Sequence, residues 1–266
     1  MVSPMSRRLL AGLIALALAV TVAVGVAGCG MRESLRAAAD AVEETDAVEV
    51  DMVAAPDAAL ADSAVVAEAA RSVVRIHTEA SSCLRILDGS GVVVAPNKVM
   101  SAAHTVAGAD TVSVWVGDQE RPATVVVFDP NLDVAVLEVP DLQAPTLALE
   151  QDQVVTGTDV VVLGYPGGGP FVATPARVRK VMELLVPDIY NTTTVNREVY
   201  VIRGPIRHGG SGGPLIDLNG HVLGISFGAA LDDPDTGFVL TAKQIFALMV
   251  NGVAATAPVA TGACVP

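Results

Sequence analysis

Basic residues are scarce in this chain: 16 Lys and Arg stand against 29 Asp and Glu, for a formal net charge of −13. No basic patch exists that would neutralise a row of phosphates, which argues against a nucleic-acid partner. Metal-ligand spacing is also missing, since His77, His208 and His221 have no Cys, Asp or Glu at suitable intervals. Gly167-Gly168-Gly169 lacks the Lys-Ser/Thr that a phosphate loop requires. Neither a metal nor a cofactor is therefore expected. No internal repeat is visible, and cysteine is limited to Cys29, Cys83 and Cys264, an odd count.

The acidity that is present is concentrated. Residues 30–68 carry ten acidic residues against Arg32 and Arg36 alone. Together with its many alanines and few aromatics, this reads as a solvated linker over 30–70 with little to bury. Ahead of it, Arg7 and Arg8 precede an apolar run from Leu9 to Gly28, the layout of an export signal that is also long enough to span a bilayer. The run ends in Val26-Ala27-Gly28-Cys29, which resembles a lipobox. Three readings stay open for residues 1–29: a lipoprotein acylated at Cys29, an uncleaved membrane helix, or simple secretion. All three place the remainder outside the cytoplasm, as do the basic residues before the span and the acidic ones after it.

From Ser72 onward short Val/Ile-rich runs alternate with Gly, Pro, Asn and Asp, among them Val73–Ile76, Gly91–Val94, Val112–Val116, Val134–Val139, Val160–Gly164 and Val222–Phe227. That pattern predicts an all-β sandwich or barrel. Only Lys243–Val250 looks helical, with Ile245, Leu248 and Met249 on one face. A Pro- and Gln-containing stretch over Ala144–Gln153 divides the strands into two sets, which suggests β subdomains over 71–147 and 148–266.

One segment suggests chemistry. In Gly209-Gly210-Ser211-Gly212-Gly213-Pro214, glycines on both sides of a serine permit a turn that exposes a hydroxyl and aims backbone N–H groups at one point, although a tight hairpin would look the same. The G-x-S-x-G spacing also fits a nucleophile elbow of the α/β-hydrolase kind. There the acid and the histidine follow the serine, whereas here only His221 does, and the flanking elements are strands. Upstream, Val99-Met100-Ser101-Ala102-Ala103-His104 is an apolar run ending in histidine, and Asp133 stands at the mouth of Val134-Ala135-Val136-Leu137. The order is histidine, aspartate, serine.

These three segments resemble the signature segments of trypsin-like serine proteases, including the bacterial HtrA type, from about Ser72 to the C-terminus. The resemblance implies two six-stranded antiparallel β-barrels of the chymotrypsin kind with a short C-terminal helix. It implies a triad of Ser211 as nucleophile, His104 as base and Asp133 as its orienting partner, with an oxyanion hole at Gly209, Gly210 and Ser211. Gly224-Ile225-Ser226-Phe227-Gly228 resembles the strand that lines the substrate cleft, so Ser226, Phe227 and Gly228 are cleft candidates, with the Ser226 hydroxyl expected to contact Asp133. His208 is a candidate for the cleft wall. Pro205 falls near the base of the specificity pocket, where the lack of charge hints at an apolar or small residue before the cut.

Longer segments, such as "LGYPGGGPFVATPARVR", "PDIY", "VLGISFGAALDD" and "TGACV", are similar to the mycobacterial acid-resistance periplasmic serine proteases, the MarP-type family. That likeness implies a disulfide between Cys83 and Cys264, a role in acid stress, protein or peptide substrates in the cell envelope, and attachment to the membrane through the N-terminal segment or a lipid. Two departures stand out. This chain has one apolar segment where the family has several membrane helices, and Gly210 stands where the family usually has Asp. Gly210 loosens the turn entropically, which leaves a weakened, peptide-binding protein as the alternative to an active endopeptidase.

Overall fold

The computed structural model describes residues 52–265. The signal or anchor segment, Cys29 and most of the acidic linker lie outside the described residues. Among the described residues no helix is long and apolar enough to cross a membrane.

Among the described residues twelve strands close two antiparallel barrels of six. The first comprises β1 (Val73–Ala80), β2 (Arg85–Ala95), β3 (Lys98–Ser101), β4 (Thr111–Val116), β5 (Gln119–Asp129) and β6 (Val134–Glu138), in the order β1-β2-β3-β6-β5-β4. The second comprises β7 (Asp159–Gly164), β8 (Val172–Pro187), β9 (Thr194–Arg203), β10 (Pro214–Ile216), β11 (Val222–Ala229) and β12 (Thr236–Thr241), in the order β10-β11-β12-β9-β8-β7.

The apolar runs are continuous rather than alternating because several strands are buried on both faces. Val160 and Val162 point into the core of the second barrel with Tyr200, Ile202, Leu215 and Leu223. Their neighbours Val161 and Leu163 point outward into a shared core that also takes Val92, Met100 and Val136 from the first barrel. The opposite parity of β3 and β6, Val99 and Leu137, fills the first barrel. A one-residue change of parity thus decides whether a side chain fills a barrel or joins the two.

Strand β8 is not among the apolar runs of the sequence. It carries Arg177 and Arg179, which pair with Asp159 and Asp233, and its far half extends beyond the barrel as a hairpin with β9. The packed body also starts before the change of composition at Ser72. A short helix, α1 (Ala64–Ala69), is capped by the Ser63 hydroxyl accepting from Val66 N, and it buries Val66 and Ala69 in the shared core. The C-terminal helix, α2 (Ala242–Ala254), runs four residues past the predicted end. Thr241 Oγ1 caps it by accepting from Gln244 N at 3.2 Å. It buries Ile245 and continues through Gly252, where a Cβ would meet Val136 at 2.6 Å.

Candidate active site

The histidine arrives on a turn of 3-10 helix, Ala103–Thr105, directly after β3. Asp133 ends the β5–β6 turn and is buried, with φ of +61°, a left-handed conformation that a non-glycine residue holds only where its surroundings impose it. One carboxylate oxygen, Oδ2, lies 2.7 Å from His104 Nδ1, and the other accepts the His104 backbone N–H at 2.9 Å. The aspartate therefore fixes both ring and main chain, and leaves Nε2 of a side chain that is 30% exposed without a partner among the described residues. Burial favours the neutral imidazole, but the Asp133 charge and the hydrogen bond to it together outweigh burial and hold the His104 pKa above its ordinary value. Arg197 acts in the opposite direction.

The Ser211 turn is built by contacts from both barrels. Ser90 N–H donates to Ser211 O at 2.9 Å. Ser90 Oγ donates to Gly209 O at 2.7 Å and accepts from Tyr165 N at 2.8 Å. Gly212 has φ of +82°, and a Cβ there would meet Ser101 Oγ at 2.2 Å and Ala102 N at 2.7 Å. Only glycine lets the turn approach the segment that ends in His104 this closely. Among the described residues no hydrogen bond joins Ser211 Oγ to His104. Such bonds are commonly long in unliganded sites and tighten when substrate binds.

Two backbone donors near Ser211 have no partner among the described residues: Gly209 N–H and Ser211 N–H. The direction of the first is fixed from outside. Gly167 N–H donates to His208 O at 2.7 Å. Carbonyl and N–H point opposite ways across a trans peptide, so Gly209 N–H is turned away from Gly167. The loop Pro166–Gly168 is held in turn by Arg75, whose Nη1 donates to Gly168 O at 2.8 Å.

Two expectations need correction. Gly210 contributes no oxyanion donor, because its N–H is spent on Arg207 O at 2.8 Å. Ser226 does not contact Asp133: its hydroxyl donates to Gly210 O at 2.8 Å, with Gly213 O at 3.1 Å. Both Asp133 oxygens already serve His104, while the Gly210 carbonyl lies beside Ser226. Gly210 is consequently tied at its N–H and its C=O, and a Cβ there would meet Arg207 O at 2.9 Å. These two bonds hold Gly210 within the turn. Phe227 is the extra residue of a β-bulge between Ser226 and Gly228, which re-aims it under the guanidinium of Arg197, 5.1 Å from the ring centre. A Cβ on Gly228 would meet nothing within 4 Å, so that side of the strand is open. His208 is exposed, and it is its carbonyl that takes part in the site. His77 and His221 lie apart, each beside a carboxylate, Asp88 at 3.0 Å and Asp217 at 3.3 Å. Cys83 and Cys264 sit side by side with Cα atoms 6.3 Å apart, within disulfide range.

Sequence reasoning missed Ser90, Arg75 and Arg197. Gly89-Ser90-Gly91 was the one available signal, a serine between glycines within a strand.

Residues 89–225 match the family of the trypsin-like peptidase domain. This chain belongs to the trypsin-like peptidase family. Its trypsin-like peptidase body is 53% identical over 214 residues to the serine protease Rv3671c of Mycobacterium tuberculosis, covering 80% of this chain and 54% of that protein. It thus spans about half the length of that relative. A probable periplasmic DegP-like serine endoprotease of Halomonas elongata is 34% identical over 141 residues, 52% of this chain and 28% of that protein. The crystal structure of the active form of the Rv3671c protease superposes with a TM-score of 0.81 at 52% identity, over 82% of this chain and 96% of that one. For the inactive form the TM-score is 0.69 at 51% identity, over 75% and 98%. The chain thus carries a trypsin-like peptidase domain built as two closed six-stranded barrels, the fold of the Rv3671c protease.

Proposed function

We propose that this chain is a serine endopeptidase of the bacterial cell envelope that cleaves peptide bonds through Ser211, His104 and Asp133 by way of an acyl-enzyme. The observation that carries this reading is the Asp133-clamped His104 beside a serine turn with two unengaged backbone N–H groups. Ser211 Oγ attacks the scissile carbonyl while His104 Nε2 takes its proton. The oxyanion accepts hydrogen bonds from Gly209 and Ser211 N–H. Collapse breaks the C–N bond as His104 returns the proton to the leaving amine, and a water activated by the same imidazole then releases the acyl group. The greater likeness to the active than to the inactive Rv3671c form agrees with an assembled site.

The substrate runs along Ser226–Gly228 as an added strand. The pocket at Pro205 takes a small or apolar side chain, since Val162, Leu163, Val172 and Ile206 line it, with Arg207 as the one charged residue of the lining. Cys83 and Cys264 form a disulfide that ties the C-terminal tail to the first barrel, and Cys29 or the run before it holds the body, 71–147 and 148–266, at the membrane. A role in acid stress comes from the family likeness. The raised His104 pKa means that such a role would run at a reduced rate in acid.

The test is a fluorophosphonate probe on the full chain. Label at Ser211 that disappears in His104→Ala supports the triad. No label on folded, oxidised protein sinks it in favour of a peptide-binding module.

A further inference from the structure

Asp133 holds a left-handed conformation, and the turn that carries it is bonded from both barrels. Within its own turn, Asp129 Oδ1 accepts from Asn131 N and Leu132 N, both at 2.9 Å. Asp133 itself bonds His104, and further bonds reach the turn from the β8–β9 hairpin. Ile189 N–H donates to Pro130 O at 3.2 Å. Arg197, on β9, donates to Asn131 O through Nε at 3.0 Å and Nη2 at 2.7 Å. Arg197 is 3% exposed, and its guanidinium lies over Phe227 of the cleft strand.

A buried guanidinium is expensive to desolvate, so it persists where its geometry and its charge are both used. This one has a planar fork on one carbonyl and a flat face on a ring, which a lysine cannot reproduce. We propose that Arg197 is a positioning residue for the Asp133–His104 pair: it holds the turn that carries Asp133 and sets a fixed positive charge behind the pair. The inference rests on the triad reading given above. Two charged groups act on the imidazole: Asp133 favours its protonated form, and Arg197 disfavours it. Around Arg197 stand Asp133, Asp129 and Asp188. The arginine therefore opposes the rise in His104 basicity that the aspartate causes, and it keeps the base neutral to lower pH than the aspartate alone would allow.

Two variants separate the fork from the charge. In the full-length chain, the rate of fluorophosphonate labelling at Ser211 is measured across pH for wild type, Arg197→Lys and Arg197→Met. Both variants should label more slowly, on the order of 10- to 100-fold, as expected for a displaced catalytic group. The acidic limb of the rate profile should stay with wild type in the lysine variant and move to higher pH in the methionine variant. Wild-type rates in both variants, or a methionine variant whose acidic limb coincides with wild type, overturns the proposal. If Arg197→Met fails to fold by near-ultraviolet circular dichroism, Arg197→Lys decides, and a wild-type rate there overturns it. Absence of label in the wild-type chain refutes the triad itself, and the inference falls with it. Label in wild type with unaffected variants refutes the inference alone.

Discussion

Gly209→Ala isolates the oxyanion hole from the rest of the site. The new Cβ would stand 2.4 Å from Gly167 N and 2.9 Å from Tyr165 O, at a residue whose φ is +82°. Neither neighbour is a flexible side chain end. Tyr165 is pinned by its N–H on Ser90 Oγ, and Gly167 by its own N–H on His208 O. The 208–209 peptide must rotate or shift, and Gly209 N–H loses its aim. Loss of one such donor costs about 3 kcal/mol in the transition state, or roughly 100- to 1,000-fold in kcat. The left-handed strain adds about 1–2 kcal/mol of lost stability. Ser211, His104 and Asp133 keep their own bonds, so KM should change far less than kcat. The assay is steady-state hydrolysis of a peptide substrate by the full chain, with a thermal melt in parallel. A variant that keeps kcat within a few-fold of wild type while folding normally would refute the assignment of Gly209 N–H as a donor.

Replacing Cys83 and Cys264 by Ser should lower the melting temperature in oxidising buffer, by up to about 5 kcal/mol of stability for so long a loop; equal melts with and without reductant in wild type would show that the pair is not bonded. Because the neutral imidazole is the base and its pKa is raised, the acidic limb of kcat/KM should lie above the ordinary histidine value; a limb below it would contradict the dominance of Asp133. The same shift has the opposite consequence for stability. The imidazolium–Asp133 contribution is fully present below the unfolded histidine pKa and is lost as pH rises through the folded one. Wild type should therefore exceed His104→Ala in melting temperature by more in mild acid than in alkali. Asp188, with its carboxyl held low by the Thr192 hydroxyl and then by backbone N–H groups, and Asp233, held low by Thr236, work from the other side. Their contribution is present above the ordinary carboxylate range and is lost as pH falls from that range through the lowered folded values, so the melting temperature should start to drop as pH enters the ordinary carboxylate range. Cys29→Ala should free the protein from membranes if the cysteine is acylated; retention would favour a spanning helix.

The sequence alone determined the class of fold and the three residues of the proposed triad. Apolar runs between turn residues are a local signal of strands, and a serine among five glycines and prolines is visible without any knowledge of contacts. It also marked Cys83 and Cys264 through family likeness. What it could not determine is who holds these residues in place. Ser90 reaches Gly209 across 119 residues, and Arg197 reaches Asn131 across 66. Neither contact leaves a periodic trace, because a hydrogen bond between barrels depends on strand register and on the angle at which two closed sheets meet. Ser226 shows the same limit. Its place on the cleft strand was legible, yet its hydroxyl turns to Gly210 O, since the tertiary structure had already committed both oxygens of Asp133 to His104.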